Sequence, residues 1–90
     1  MLIPKEIKLC GLTIEVIVCP TLHKDKGLGG FSDYPGLRIM LAGDVNEQLQ
    51  EQVLYHEIVH FILFVMGEPE LRDNEKFVDV FAHLLHQALK

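Results

Sequence analysis

Five consecutive residues, His56, Glu57, Ile58, Val59 and His60, have the types and spacing of a hydrolytic metal site. On an α-helix, residues four apart share one face, so His56 and His60 can close on a single ion. Zinc suits paired imidazoles, and a catalytic zinc centre takes three protein ligands and keeps one position for water. Glu57 directly follows the first histidine. There a carboxylate can take a proton from that water as general base without binding the metal itself. A helix can carry two histidines and an acid for no chemical reason, but this pentapeptide seldom arises by accident in ninety residues. The expected chemistry is zinc-assisted hydrolysis.

The third ligand must come from elsewhere in the chain. A longer motif would place a glycine three residues after His60 and a histidine three further on. Those positions hold Leu63 and Met66, so the ligand is sought on a later helix. Glu75 stands fifteen residues after His60, beyond a turn that lets the last helix fold back. An acid in a first helical turn is also favoured by the helix dipole alone. Asp79 and His83, further along the same helix, are the other candidates.

The elements that must position these groups can be read from periodicity. Glu6 to Leu9 and Leu12 to Val18 alternate with period two and are rich in β-branched residues, which predicts a hairpin with one buried face. A two-residue turn at Gly11-Leu12 would set Cys10 opposite Thr13 and Cys19 opposite Pro4, too far apart to bridge. Residues 23–30, with three glycines, read as a loop containing at most a helical turn. Residues 30–34 and 37–41, joined by Pro35-Gly36 in a type II turn, predict a second hairpin, with 37–41 as an edge strand. Asp44 with Glu47 has the form of a capping box, and Asn46 is an alternative cap. The helix it opens runs to Met66, with Gly67 as its stop. Residues 58–66 are apolar all round apart from His60, as befits a helix in mid-core. Asp73 or Asn74 caps a last helix ending near Leu89, with Val78, Phe81, Ala82, Leu85 and Leu89 as its apolar stripe. The order of strands, then helices, predicts one α+β domain over residues 1–90 with a small, mostly antiparallel sheet.

Residues 75–82 read Glu-Lys-Phe-Val-Asp-Val-Phe-Ala. This segment resembles the glutamate-bearing helix that follows HExxH in ImmA/IrrE-like metallopeptidases. The layout is also similar to the minigluzincins and to small phage or prophage gluzincin-type metallopeptidases. The resemblance covers residues 28–90. It implies a minimal zincin-like fold, Zn2+ as cofactor, Glu75 as the third ligand beside His56 and His60, and peptide-bond hydrolysis on a peptide or protein substrate. The chain departs from the pattern at Val78, where alanine is usual, and in its short spacer after His60. The DNA-linked extensions of larger relatives, and the regulatory role that goes with them, are not expected here.

Other residues receive lesser roles. Tyr34 is a candidate for polarising the substrate carbonyl, with packing at a hairpin end as its structural alternative. Asp79 can support a ligand imidazole from outside the metal shell. His23, His83 and His86 are expected at the surface and Tyr55 in the core. A net charge of -5 without any basic run argues against nucleic acid as partner. The longest apolar run, 61–66, is far too short for a membrane span. Charges at Lys5, Glu6, Lys8 and Glu15 interrupt the first twenty residues, so no signal peptide is expected and the cytoplasm is the predicted location. A second reading keeps the metal without turnover, as a latent zincin-like protein that serves as an interaction module or requires a partner for activity. A third, a structural zinc staple, would need a fourth protein ligand and has no use for Glu57.

Overall fold

The computed structural model describes residues 3–89. Its elements are strands β1 (Glu6–Leu9) and β2 (Leu12–Cys19), helix α1 (Leu22–Lys26), strands β3 (Gly30–Asp33) and β4 (Arg38–Ala42), and helices α2 (Glu47–Met66), α3 (Pro69–Arg72) and α4 (Glu75–Leu89). The fold is α+β, as the element order predicts. The four strands form one sheet in the order β1-β2-β4-β3. Its outer pairings are antiparallel and its central β2–β4 pairing is parallel, with Val16 opposite Ile39 and Val18 opposite Leu41.

That central pairing corrects one expectation. Strand β4 lies inside the sheet, between β2 and β3, and the edges are β1 and β3. The chain returns from β2 through α1 and β3, so β4 is free to pair with β2 on its other side. Inward-facing Ile39 and Leu41 are fully buried there, which suits a central strand.

Both hairpin turns also differ from expectation. Leu9 pairs with Leu12, so the first turn is Cys10-Gly11. The φ angles are +49° at Cys10 and +78° at Gly11. Positive φ at both central residues is the type I′ requirement, which favours glycine second. The expected and observed registers keep the same residues facing inward, so burial does not choose between them and the turn does. Both cysteines are free thiols. In the second turn Leu37 N–H donates to the Tyr34 carbonyl at 3.1 Å. Leu37, at φ +52°, takes the left-handed conformation expected of Gly36. Its side chain packs against the core, offsetting a strain of about 1–2 kcal/mol. Asp33 ties the turn by accepting from Gly36 N–H at 3.1 Å and from the Arg38 guanidinium at 2.6 Å. The Arg38 contact, then the Gly36 amide, hold the Asp33 carboxyl below its ordinary pKa.

Helix α2 is capped by Asn46, whose side chain accepts from Gln48 N–H at 2.8 Å. Asp44 instead reaches across to the amides of His23 and Lys24 in the first turn of α1. Desolvation alone would raise the Asp44 carboxyl, but these amides outweigh it and its pKa lies below the ordinary value. Gly67, at φ +72°, ends α2, and Asn74 opens α4 by accepting from Phe77 N–H at 3.0 Å.

Helix α2 is the middle layer of the domain. One side packs on the sheet through Leu54 and Phe61 against Ile14, Val16, Ile39 and Leu41. The other packs on α4 through Val59 and Leu63 against Val78 and Ala82. Burial from two sides explains why its second half is apolar nearly all round. The apolar stripe on α4 is narrower than predicted: Val78 and Ala82 are buried, while Phe81 and Leu89 are 47% and 67% exposed. Among the described residues, no helix is long and apolar enough to cross a membrane.

Candidate metal centre

Helices α2 and α4 bring three of the predicted site residues to one point. His56 and His60 lie one turn apart on α2, and Glu75 opens α4. The two imidazole Nε2 atoms are 3.2 Å apart. Glu75 Oε2 is 3.2 Å from His56 Nε2, and Glu75 Oε1 is 3.2 Å from His60 Nε2. Ligand atoms at about 2.0–2.1 Å from a tetrahedral zinc are separated by about 3.3 Å. The observed spacings match. His56, His60 and Glu75 together form a donor set that could hold a metal ion. Two imidazole lone pairs and a carboxylate packed this closely repel one another unless a cation or protons lie between them.

The surroundings differ for the two histidines. His56 Nδ1 faces Asp79 Oδ1 at 3.5 Å. A carboxylate there favours the proton on Nδ1 and leaves the Nε2 lone pair for a metal. The sequence offered this role for Asp79, and the structure brings the groups together. His60 Nδ1 is buried without a hydrogen-bond partner, so the tautomer of His60 is set by what sits at its Nε2.

Glu57 is buried at 7% exposure, and Ser32 Oγ donates to its Oε1 at 2.8 Å. Glu57 borders a cleft of about 270 Å³ that is also lined by Gly30 of β3, Val53 and His56 of α2, and Asp79 and His83 of α4. Gly30 is required by close approach: a Cβ there would lie 2.7 Å from the Met40 carbonyl oxygen and 2.7 Å from Val53 Cγ1.

Tyr34 packs edge-on to Phe61 with ring centroids 5.1 Å apart, and stacks on Phe64 at 4.7 Å. The Arg72 guanidinium lies over its ring. Burial raises the phenol pKa above its ordinary 10.0; Arg72 opposes this, and the carboxylates of Glu57, Asp73 and Glu75 reinforce it. The hydroxyl therefore remains a proton donor across the neutral range.

One expectation fails at the far end of α4. His86 is largely buried, with its side chain 14% exposed, and its Nε2 lies 2.6 Å from Glu51 Oε1 on α2. Its ring also lies 4.7 Å from that of Tyr55. Spacing alone gives no reason to pair residues 35 positions apart. His83, by contrast, is exposed as predicted. His86→Ala should cost about 1–3 kcal/mol by removing a partner of a buried carboxylate. For a domain of this size that is a fall in Tm of roughly 5–15 °C. Thermal unfolding followed by circular dichroism checks it, and an unchanged Tm would show that the pair contributes no stability.

Nothing in the sequence marks Ser32 or Glu51. A lone serine in a short strand has no periodic signature, and Glu51 reads as one more polar position early in an amphipathic helix.

No family model, curated protein or solved structure matches this chain. The functional reading therefore rests on the chain's own residues.

Proposed function

We propose that this protein is a zinc-dependent peptidase of the gluzincin type. The convergence of His56, His60 and Glu75 on one point carries the reading, with Glu57 buried at the edge of the adjoining cleft. His56, His60 and Glu75 are the residues that would hold the metal. Zinc bound there supplies Lewis acidity, polarising a carbonyl and making water acidic enough to lose a proton near neutral pH. Glu57 takes the proton from the attacking water and returns it to the leaving amine as the amide C–N bond breaks. Asp79 orients His56, and Tyr34, whose phenol keeps its proton across the neutral range, donates a hydrogen bond to the oxygen of the scissile carbonyl. The cleft between β3 and α4 receives the peptide.

The test is the zinc content of protein purified without added metal, together with chelator-sensitive cleavage of fluorescently labelled casein. About one zinc per chain with cleavage abolished by chelator and restored by zinc is the expected result. No zinc in folded protein sinks the reading. Stoichiometric zinc without cleavage would favour the second reading, in which a partner completes the site. The observation behind that alternative is the short cleft wall, since β3 spans only Gly30–Asp33 and lines the cleft through Gly30.

A further inference from the structure

Strand β3 and helix α2 run side by side in matched steps. Gly30 sits against Val53, Ser32 against Glu57, and Tyr34 against Phe61 and Phe64. Two strand residues advance about 6.6 Å and four helical residues about 6 Å, so residues 30 and 32 of β3 and Tyr34 just beyond it keep pace with successive turns of α2. The absence of a side chain at Gly30 lets the strand approach closely, and the next inward position delivers the Ser32 hydroxyl to the Glu57 carboxylate. Because of this ladder, a group 25 positions away in sequence meets the residue after His56.

The hydrogen bond engages only one side of the carboxylate. Ser32 Oγ donates to Oε1, and Oε2 makes no hydrogen bond among the described residues. The terminal torsion of a glutamate is broad and roughly two-fold. A buried carboxylate without a fixed partner therefore samples orientations in which neither oxygen faces a reacting water.

We infer that Ser32 is a positioning residue for the general base: its hydroxyl fixes Glu57 Oε1 and thereby turns Oε2 towards the cleft. Ser32 keeps its own proton throughout and transfers none. This rests on the peptidase reading above. It adds a residue that the metal-binding motif does not contain, supplied by the sheet rather than by the metal-binding helices. The competing account makes Ser32 a polar side chain that merely satisfies its own hydrogen-bonding need at an inward strand position.

Ser32→Ala and Ser32→Thr separate the two accounts. With labelled casein as substrate, Ser32→Ala should lower kcat roughly tenfold through lost orientation, with KM and zinc content unchanged. Ser32→Thr, which keeps the hydroxyl on a strand-compatible side chain, should restore it. In a Glu57→Gln background Ser32→Ala should cause no additional loss, because the two residues act as one unit. A second readout needs no turnover. The side-chain carboxyl carbon resonance of Glu57, measured in metal-free protein at neutral pH, should move in Ser32→Ala and return in Ser32→Thr. Wild-type protein that binds zinc but fails to cleave casein would count against the peptidase reading, while the resonance would still report whether Ser32 holds Glu57. An unmoved resonance overturns the inference. So does an unchanged kcat in Ser32→Ala, or an equal loss in the Glu57→Gln background.

Discussion

Glu57→Gln should lower kcat for casein hydrolysis by about 10²–10⁴-fold, the usual share of a general base, with zinc content near that of wild type. Glutamine has the shape of glutamate and can still accept the Ser32 hydrogen bond through its amide oxygen, but it cannot take up a proton. The His56, His60 and Glu75 donor set does not include Glu57, so the substitution removes chemistry and leaves the proposed ligands in place. Burial favours the variant: a neutral amide costs less to desolvate than a carboxylate, so its Tm should equal or exceed that of wild type. Two measurements decide the matter, turnover and metal content on the same preparation. Hydrolysis within tenfold of wild type would remove Glu57 from the role of base. Loss of zinc together with activity would make it a ligand.

Glu75→Ala is the complementary experiment. Removing an outer carboxylate costs metal sites about 10–100-fold in affinity; loss of a direct ligand should exceed that range, leaving little zinc on protein purified without added metal. Asp79→Ala should fall inside the range, since Asp79 faces His56 Nδ1 on the side away from the ligand nitrogen. The Glu75 side chain is 69% exposed, so metal-free Glu75→Ala should melt close to metal-free wild type. The difference appears on adding zinc: a ligand that binds only the folded state raises Tm in proportion to its affinity, and wild type should rise well above the variant. Equal zinc in both proteins would displace Glu75 from the site and bring Asp79 forward as ligand. An equally low Tm in both metal-free variants would instead indicate that α4 itself had been damaged.

Much of this arrangement could be read from residue order. The HExxH spacing put His56 and His60 on one helix, and the stop at Gly67 with the two candidate caps before Glu75 opened the next; Glu75, which the resemblance favours over Asp79 and His83, is the acid that joins the two histidines in a group that could hold a metal ion. Strand positions were equally legible, because alternation survives whichever way a sheet is assembled. Pairing order was not. Both β2 and β4 read as half-buried runs, and nothing local distinguishes a central strand from an edge one until the crossover through α1 and β3 is known. Turn chemistry misled in two places for one reason. Glycine announces a positive φ somewhere nearby, but Leu37 could adopt it because its side chain gains core contacts, and Cys10 because a type I′ turn requires it at both central residues. The long-range polar contacts Ser32–Glu57 and Glu51–His86 were invisible for a different reason: each pairs elements whose relative placement is a product of the whole fold.

The position of α2 between the sheet and α4 has a kinetic consequence. Helix α4 is an outer layer that packs on α2 through Val78 and Ala82, with the proposed ligand Glu75 at one end and the Glu51–His86 pair towards the other. Sub-global opening reaches outer layers before central ones, so α4 is expected to open while α2, buried from two sides, stays seated on the sheet. Such an opening carries off Glu75 and leaves His56 and His60 in place. If the centre holds zinc as proposed, its exchange should follow the opening rate of a single helix rather than global unfolding, and zinc release should accelerate under mild denaturant well before the sheet melts.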